Sequence, residues 1–466
     1  MKDQLKEREL FESMPIMRAI MKLVVPTVIG QIILVVYNMA DTYFIGQTND
    51  NFKVAAVTIC MPAFMFLSAI SNLFGVGGSS VIARSMGRGK AYRAQAASAF
   101  STWGCLGVTL LYALLAWIFR DVFLNMLGGQ NPQVHAYAQE YLLVTVTACG
   151  FGASMSTLFS HLVRSEGRSL QASIGIAMGG VLNIVLDPLF MFHLLPPGRE
   201  VLGAALATGL SNLAATAYFI VILYRNREYS VLHFRPGREM FAHRIPKRVL
   251  SAGLPACLMT LCENVSYAVL DNLISVNGVA FTTGIGVAKK VNMLAHCIVR
   301  GMSQGVLPLI GYNYASGNHR RMRQSVLISM SISVGLAALC MVLCLTFSEG
   351  FIRVFIPKGG ESVLYGGRFL QILCIGGPFS ACAYAFISFF QAVGEGVKSL
   401  VLALMRKGVL DIPMMFLLNR LLPVYGLVWA TPIADILCCG ASIVMFVLFL
   451  RRHTAREPEI PELQPA

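Results

Sequence analysis

The stretch that decides the fold is LVVPTVIGQIILVVYNMADTYFIG, residues 23–46, an apolar run with a carboxylate, Asp41, near its end. Between residues 23 and 36 only Thr27 and Gln31 are clearly polar. A helix of this length crosses a hydrocarbon core of about 30 Å at about 1.5 Å per residue. Because a charge at membrane depth is costly, it is a functional residue by default. The stretch therefore predicts a membrane-spanning helix that carries a functional acid.

The composition of the whole chain agrees with this prediction. Its 466 residues are 56% apolar and 13% charged, whereas soluble domains are about 45–50% apolar. We predict an all-α integral membrane protein with twelve transmembrane helices. Their spans are 18–45, 54–82, 96–118, 139–163, 170–192, 202–224, 249–275, 280–310, 324–347, 366–392, 398–418 and 424–450.

The net charge of +14 follows from the predicted topology. Most of the 37 Lys and Arg residues lie at the two ends of the chain, in the 225–248 loop and in shorter loops on the same side. Such loops are cytoplasmic by the positive-inside rule. We therefore expect a multi-pass protein of the cell (cytoplasmic) membrane with both termini in the cytoplasm and no nucleic-acid partner. The first residues show no cleaved signal peptide.

The two halves of the chain have related sequences. GGVLNI at 179 recurs as KGVLDI at 407, and GAALAT at 203 matches GLVWAT at 426. Matches in the same order, at an offset of about 228 residues, indicate a duplication into two pseudo-symmetric six-helix bundles, a parallel repeat. The predicted parts are a cytoplasmic N-terminal segment (1–17), an N-lobe of helices 1–6 (18–224), a cytoplasmic linker (225–248), a C-lobe of helices 7–12 (249–450) and a cytoplasmic tail (451–466).

Motifs for enzymatic chemistry are absent from the sequence. Gly89 and Lys90 lack the rest of a phosphate-binding loop, and neither HExxH nor GxSxG occurs. The twelve cysteines form no CxxC pair and no cluster with metal-ligand spacing. We expect neither an enzyme nor a bound cofactor.

Two acids of the first half have polar neighbours on the same helical face. Asp41 lies four residues after Tyr37, and Asp187 lies four residues after Asn183. Both helices run outward, so the two carboxyls can reach a similar depth. Such a pair favours a shared proton or a bound cation. The alternative is that both acids only join helices by hydrogen bonds.

The second half also contains intramembrane charges. Glu263 and Asp271 lie on about the same side of helix 7 and are possible coupling or substrate residues. Lys289, Lys290 or Arg300 of helix 8 could instead pair with either acid.

Two further acids of the second half are expected to be structural. Asp411 has Arg406 and Lys407 within its own helix and is expected to form an ion network. Asp435 is assigned to helix packing.

Several motifs together resemble a known family, the multidrug and toxic compound extrusion (MATE) transporters, and its MepA-like bacterial branch. They are P-x4-Q-x5-Y-x3-D-x4-G from Pro26 to Gly46, GVGGSSVIARSMGRGK (75–90), LVRSEGRS (162–169), NIVLDPLF (183–190), GAALAT (203–208) and SQGVLPLIGYNYASGN (303–318). The resemblance implies a secondary antiporter, functional as a monomer in the lipid bilayer. It would export small amphipathic, often cationic compounds in exchange for H⁺ or Na⁺, by alternating access between two lobes.

The resemblance also implies a cation-coupling cluster at Tyr37, Asp41, Asn183, Asp187 and Thr208. Na⁺ would be held at Asp41, Asn183 and Asp187.

A second branch of the family uses a helix 7 glutamate, matched by Glu263, with a helix 10 aspartate. Here Cys382 or Ala383 stands at the helix 10 position, and 366–392 contains no acid. The alternatives are a lipid-linked oligosaccharide flippase of the same superfamily, an integral-membrane lipid enzyme and a passive channel.

Overall fold

The computed structural model describes residues 8–48, 50–127, 130–356 and 360–454, which are largely helical and contain no β-strand. Residues 1–7 of the predicted N-terminal segment and 455–466 of the predicted tail lie outside this part. The helices are α1 (Ile16–Gly46), α2 (Asn51–Gly87), α3 (Ala91–Ile118), α4 (Pro132–Ala148 and Gly150–Ser165), α5 (Ser169–Leu194), α6 (Glu200–Arg225), α7 (Ile245–Ser275), α8 (Val279–Ala315), α9 (His319–Phe355), α10 (Glu361–Ile375 and Gly377–Val393), α11 (Gly396–Leu404, Met405–Val409 and Asp411–Leu421) and α12 (Tyr425–Thr454).

The helices are long and apolar enough for a membrane protein, as predicted. Within the described ranges, nine single helices could cross a bilayer, and two bent pairs raise the number to eleven. The bent pairs are α4, with 47° between its parts, and α10, with 42°. The predicted spans 139–163, 366–392 and 398–418 correspond to α4, α10 and α11, each of which is interrupted within the span.

Four tight turns lie at one end of the molecule, and each contains a glycine with a left-handed backbone conformation. Gly89 (φ 66°) and Gly317 (φ 82°) follow α2 and α8, and Gly167 (φ 88°) and Gly394 (φ 85°) follow α4 and α10. Glycine adopts this conformation without the penalty a Cβ would bring. The spacing between the members of each pair agrees with the duplication offset. We call this end, which also carries the 225–248 loop, the basic end.

The two bundles, α1–α6 and α7–α12, meet through α1 and α2 on one side and α7 and α8 on the other. Glycines allow very close packing in the half nearer the basic end. A Cβ at Gly253 would overlap the carbonyl of Leu73, and a Cβ at Gly77 would overlap the carbonyl of Val249. On the α1–α8 side, Gly301 packs in the same way against α1. The bundles therefore touch backbone to backbone.

The N-terminal residues 8–14 cover this junction. The Phe11 ring is 1% exposed and stacks on the Tyr312 ring, with 4.9 Å between centroids. The guanidinium of Arg321 donates hydrogen bonds to the carbonyls of Phe11 (2.8 Å) and Met14 (2.6 Å). On the other bundle, Gly167 packs against Leu10 and Phe11. This segment thus contacts both bundles and adds to the seal at the basic end.

A methyl group at the tightest junction should separate the bundles. We expect Gly253→Ala to destabilise the protein by about 1–3 kcal/mol, because overpacking a close contact forces backbone movement. The melting temperature of the purified protein in detergent measures the effect. Gly335→Ala is the matched control, since nothing lies within 4 Å of a Cβ at that position. Equal melting temperatures for the two variants would show that the junction tolerates a wider spacing.

Candidate functional site

A cavity of about 220 Å³ lies between the two bundles. Three side-chain hydrogen bonds join the bundles around it: Asn72 to Thr260 (3.0 Å), Gln31 to Gln304 (3.4 Å) and Ser80 to the carbonyl of Gln391 (2.5 Å). The wall is formed by α1, α2, α4, α5, α6, α7, α8 and α10. Both halves of the repeat therefore line one shared chamber.

The predicted polar cluster of the first bundle is assembled next to this cavity. The Asn183 amide donates to Asp187 Oδ1 (3.3 Å) and to Thr208 Oγ1 (3.4 Å). Asn183, Asp187 and Thr208 are 2%, 1% and 5% exposed. Asp41 reaches across from α1, and its carboxyl lies close enough to that of Asp187 for direct interaction. Tyr37 lies within electrostatic reach of both acids.

Three oxygens of the cluster have no donor among the described residues. They are Asp41 Oδ1, Asp187 Oδ2 and Asn183 Oδ1, all shielded from solvent. Buried oxygens without donors are costly unless a proton or a cation satisfies them. An all-oxygen set that includes two carboxyls is suited to a hard cation such as Na⁺, or to a shared proton. The residues present therefore fit the predicted coupling ion.

Sequence reasoning missed one residue of this region, Tyr141. Its side chain is 5% exposed and lies within electrostatic reach of Asp41, Asp187 and Tyr37. Tyr141 precedes the π-helical turn Leu143–Ala148 on α4. No sequence signal singles it out, because it stands at the start of an apolar run, directly after Gln139 and Glu140, and reaches the acids only through the packing of α4.

The two acids of α7 have different surroundings. Glu263 lines the cavity and pairs with Arg300 at 2.9 Å. Asp271 pairs with Lys289, and its side chain is 50% exposed outside the cavity lining. The two acids are therefore not brought together, and each has a cationic partner from α8.

The second bundle contains a buried ion pair between α11 and α12. Arg406 donates to Asp435 Oδ1 (2.7 Å) and to Ser380 Oγ (2.8 Å), and its guanidinium lies over the Tyr384 ring. Arg406 and Asp435 are each 1% exposed. The assignment of Asp435 to helix packing omitted this pairing, which sequence spacing does not show.

A second group centres on Asp411, which is fully buried. Its carboxylate accepts from Lys407 (3.0 Å), Ser266 (2.6 Å) and Thr431 (2.9 Å). Of the two cations expected to form an ion network with Asp411, Lys407 pairs with it, whereas Arg406 pairs with Asp435 instead. At the predicted helix 10 position, Cys382 and Ala383 are buried in the core.

Comparisons with known proteins agree with this architecture. A family model described as MatE matches residues 26–189 and 255–417. The multidrug export protein MepA of Staphylococcus aureus (strain MRSA252) is 28% identical over 98% of this chain and 100% of its own length. MepA of Staphylococcus haemolyticus (strain JCSC1435) is 28% identical over 96% of this chain and 97% of its own length.

Solved structures show the same fold. A MATE crystallised in complex with MaL6 superposes with a TM-score of 0.87 at 25% identity, covering 97% of this chain and 99% of that one. A MATE family transporter in an outward-facing conformation superposes with a TM-score of 0.85 at 24% identity, covering 97% of this chain and 98% of that one.

The chain belongs to the MatE family. It is accordingly a membrane transporter of the multidrug efflux type and not an enzyme, as predicted. The two matched stretches begin at residues 26 and 255, close to the offset of the sequence repeat. The predicted MATE fold of two pseudo-symmetric bundles is confirmed.

Breaking the buried pair of the second bundle should destabilise this MATE protein strongly. We expect Arg406→Met to cost about 3–5 kcal/mol, because Asp435 is left buried without its partner. The double variant Arg406→Met/Asp435→Leu should recover most of the loss in melting temperature. Asp271→Asn is the control, since a half-exposed pair contributes about 0–1 kcal/mol. If Arg406→Met melts like Asp271→Asn, the buried pair has no structural role.

Proposed function

We propose that this chain is a cation-coupled antiporter that exports small amphipathic, often cationic compounds. Residues 18–224 and 249–450 would be the two lobes that alternate access to the cavity. The main support is the pair of acids Asp41 and Asp187. Each has a buried oxygen without a hydrogen-bond donor among the described residues, and the pair lies beside the chamber between the bundles. The coupling ion is H⁺ or Na⁺. The MepA relatives, which are multidrug export proteins, support the substrate class.

The charge distribution supports a cytoplasmic basic end. By the positive-inside rule, the basic residues at that end support a topology in which the loops, the linker 225–248 and both termini would lie in the cytoplasm. The protein would then lie in the cytoplasmic membrane as a functional monomer. Because the bundles pack backbone to backbone near this end, the structure would correspond to a state closed toward the cytoplasm. Opening would require separation of α2 from α7 and of α1 from α8.

The coupling step follows from where the ion would bind. Ion and substrate must oppose each other's binding for exchange to occur. The Asn183 and Thr208 side chains belong to the acid cluster and also line the cavity. An ion at Asp41 and Asp187 would change the hydrogen bonds of these two groups. The substrate would then face a different wall in the ion-bound and ion-free states.

A flippase for lipid-linked oligosaccharides is less well supported. Such a protein would need a strongly cationic cleft for a polyanionic headgroup. Among the described residues of the lining, the arginines are Arg164 and Arg300, and Arg300 is neutralised by Glu263. The cavity therefore suits small molecules.

Reconstituted protein tests the proposal. Vesicles with a lumen rich in H⁺, or in a separate arm rich in Na⁺, should accumulate a cationic fluorescent dye as the ion leaves. We expect Asp41→Asn and Asp187→Asn each to reduce accumulation to the level of protein-free vesicles, because the ion loses its site.

Asp121→Asn, which changes a carboxylate that is 63% exposed, should leave uptake unchanged. Full gradient-driven uptake by both site variants would refute carboxylate coupling. Dye that equilibrates without accumulating would indicate a passive channel.

A further inference from the structure

One face of α4 forms a wall of the cavity and ends in an arginine. Ala153, Ser156, Ser160, His161 and Arg164 recur at helical spacing along this face. At about 1.5 Å per residue the face is about 16 Å long. Arg164 lies at its end nearest the basic end, and so contributes to the inner part of the chamber.

Arg164 is buried with two donor atoms that have no partner in the described part of the chain. It is 2% exposed, and its Nε and Nη1 atoms have no acceptor among the described residues. Other interior arginines have partners: Arg300 pairs with Glu263, Arg406 pairs with Asp435 although its Nη1 has no acceptor among the described residues, and Arg321 donates to backbone carbonyls. Arg164 therefore lines the cavity with two N–H groups that are available to a bound ligand.

A second donor in the same cavity is also unused. Gln391 is 4% exposed and lines the chamber, and its Nε2 atom has no acceptor in the described part of the chain. Its backbone carbonyl accepts from Ser80, which holds this part of α10 against α2. The cavity thus presents donors from both bundles.

Uncompensated buried donors of this kind complement an anion. A buried charge without a partner is costly, and a guanidinium offers a planar fork that matches a carboxylate in two parallel hydrogen bonds. We propose that Arg164 binds the carboxylate of a zwitterionic amphipathic substrate. The cationic group of that substrate points toward the acidic cluster, whose Tyr37, Asn183 and Thr208 also line the cavity. This assignment rests on the proposed export function and names its substrate class.

The test compares a rhodamine dye that carries a free carboxylate with its methyl ester. Fluorescence polarisation with the purified full chain measures both affinities. Arg164→Gln should weaken the carboxylate dye at least about tenfold, equivalent to about 1.4 kcal/mol, and leave the ester unchanged. Arg164→Lys, which keeps the charge but not the fork, should recover part of the loss. Equal effects on both dyes, or no effect on either, would overturn the assignment.

Arg353→Gln is the matched control. It removes one positive charge from a side chain that is 67% exposed at the far end of α9, and it should leave both dye affinities unchanged. A loss of carboxylate-dye affinity in this control equal to that in Arg164→Gln would show that net charge, rather than Arg164, is responsible.

The unmodified protein provides a test that does not depend on the folding of a variant. Benzoate should displace the carboxylate dye, whereas benzamide, which has the same shape without the charge, should not. Displacement by inorganic phosphate but not by benzoate would contradict a carboxylate site. If the carboxylate dye binds through Arg164 but neither dye is concentrated by a gradient, the export proposal fails and this site stands. If the ester is concentrated and Arg164→Gln has no effect, this site fails and export stands.

A separate observation concerns the repeat itself. The aligned segments GGVLNI and KGVLDI place Gly179 opposite Lys407 and Asn183 opposite Asp411. Their partners also correspond, since Asn183 contacts Thr208 (3.4 Å) and Asp411 contacts Thr431 (2.9 Å), and both threonines end the matched GAALAT and GLVWAT segments. The second bundle thus contains a counterpart of part of the proposed ion site.

The counterpart contains its own cation. The Lys407 ammonium lies 3.0 Å from Asp411, and the two residues are 1% and 0% exposed. In the first bundle the corresponding position is Gly179, which has no side chain and lines the cavity. We infer that Lys407 takes the place of a mobile cation in the second bundle. Ion coupling is thereby confined to the first bundle.

Removing the lysine should turn this counterpart into an ion site. In an Asp41→Asn/Asp187→Asn background, the melting temperature should not respond to Na⁺ at constant ionic strength. Adding Lys407→Met should create a Na⁺-dependent rise of at least about 2 °C, and adding Asp411→Asn as well should abolish it. If the Lys407→Met variant does not fold, Lys407→Gln replaces it in the same experiment. A melting temperature independent of Na⁺ in the lysine variants would refute the inference, whatever dye transport shows.

Discussion

The contact on which the rest of the structure depends is the backbone packing of α2 against α7. Gly253 lies beneath the carbonyl of Leu73, and Gly77 lies beneath that of Val249. No side chain separates the helices at these points, so two bundles of similar fold come together near the basic end while a chamber remains between them farther along. The residues 8–14 cover the same junction from outside. A pair of bundles held apart by ordinary side chains would have neither this seal nor this cavity.

The two bundles share one fold but differ in how their interior charges are satisfied. In the first, Asp41 and Asp187 lie together, and each has an oxygen that no donor among the described residues reaches. In the second, Lys407 pairs with Asp411 within α11, and Arg406 of α11 pairs with Asp435 of α12. Electrostatics, rather than topology, therefore distinguishes the bundle with the proposed ion site from the bundle whose buried acids are paired with cations. This difference arises at a few positions of an otherwise repeated pattern.

Sequence reasoning predicted the helical membrane fold, the repeat and the residues of the acidic cluster. It succeeded there because long apolar runs and acids inside them are local signals. It did not locate the interruptions of α4, α10 and α11, since π-helical turns and bends depend on neighbouring helices. It could not select a partner for Glu263 from three candidate cations of α8. Only packing brought Arg300 within 2.9 Å.

The sequence by itself determined the class of protein, the duplication and the presence of acids within long apolar segments. The length of an apolar run and the position of a charge within it are properties of a single segment, so the sequence shows them directly. Tertiary structure alone decided that Tyr141 lies near the acids, that Arg164 has no acceptor for its Nε and Nη1 among the described residues, and that Asp435 pairs with Arg406. Each of these contacts depends on which helices pack together and on how each helix is rotated about its axis. A contact between segments that are far apart in the chain leaves no pattern in the sequence of either segment.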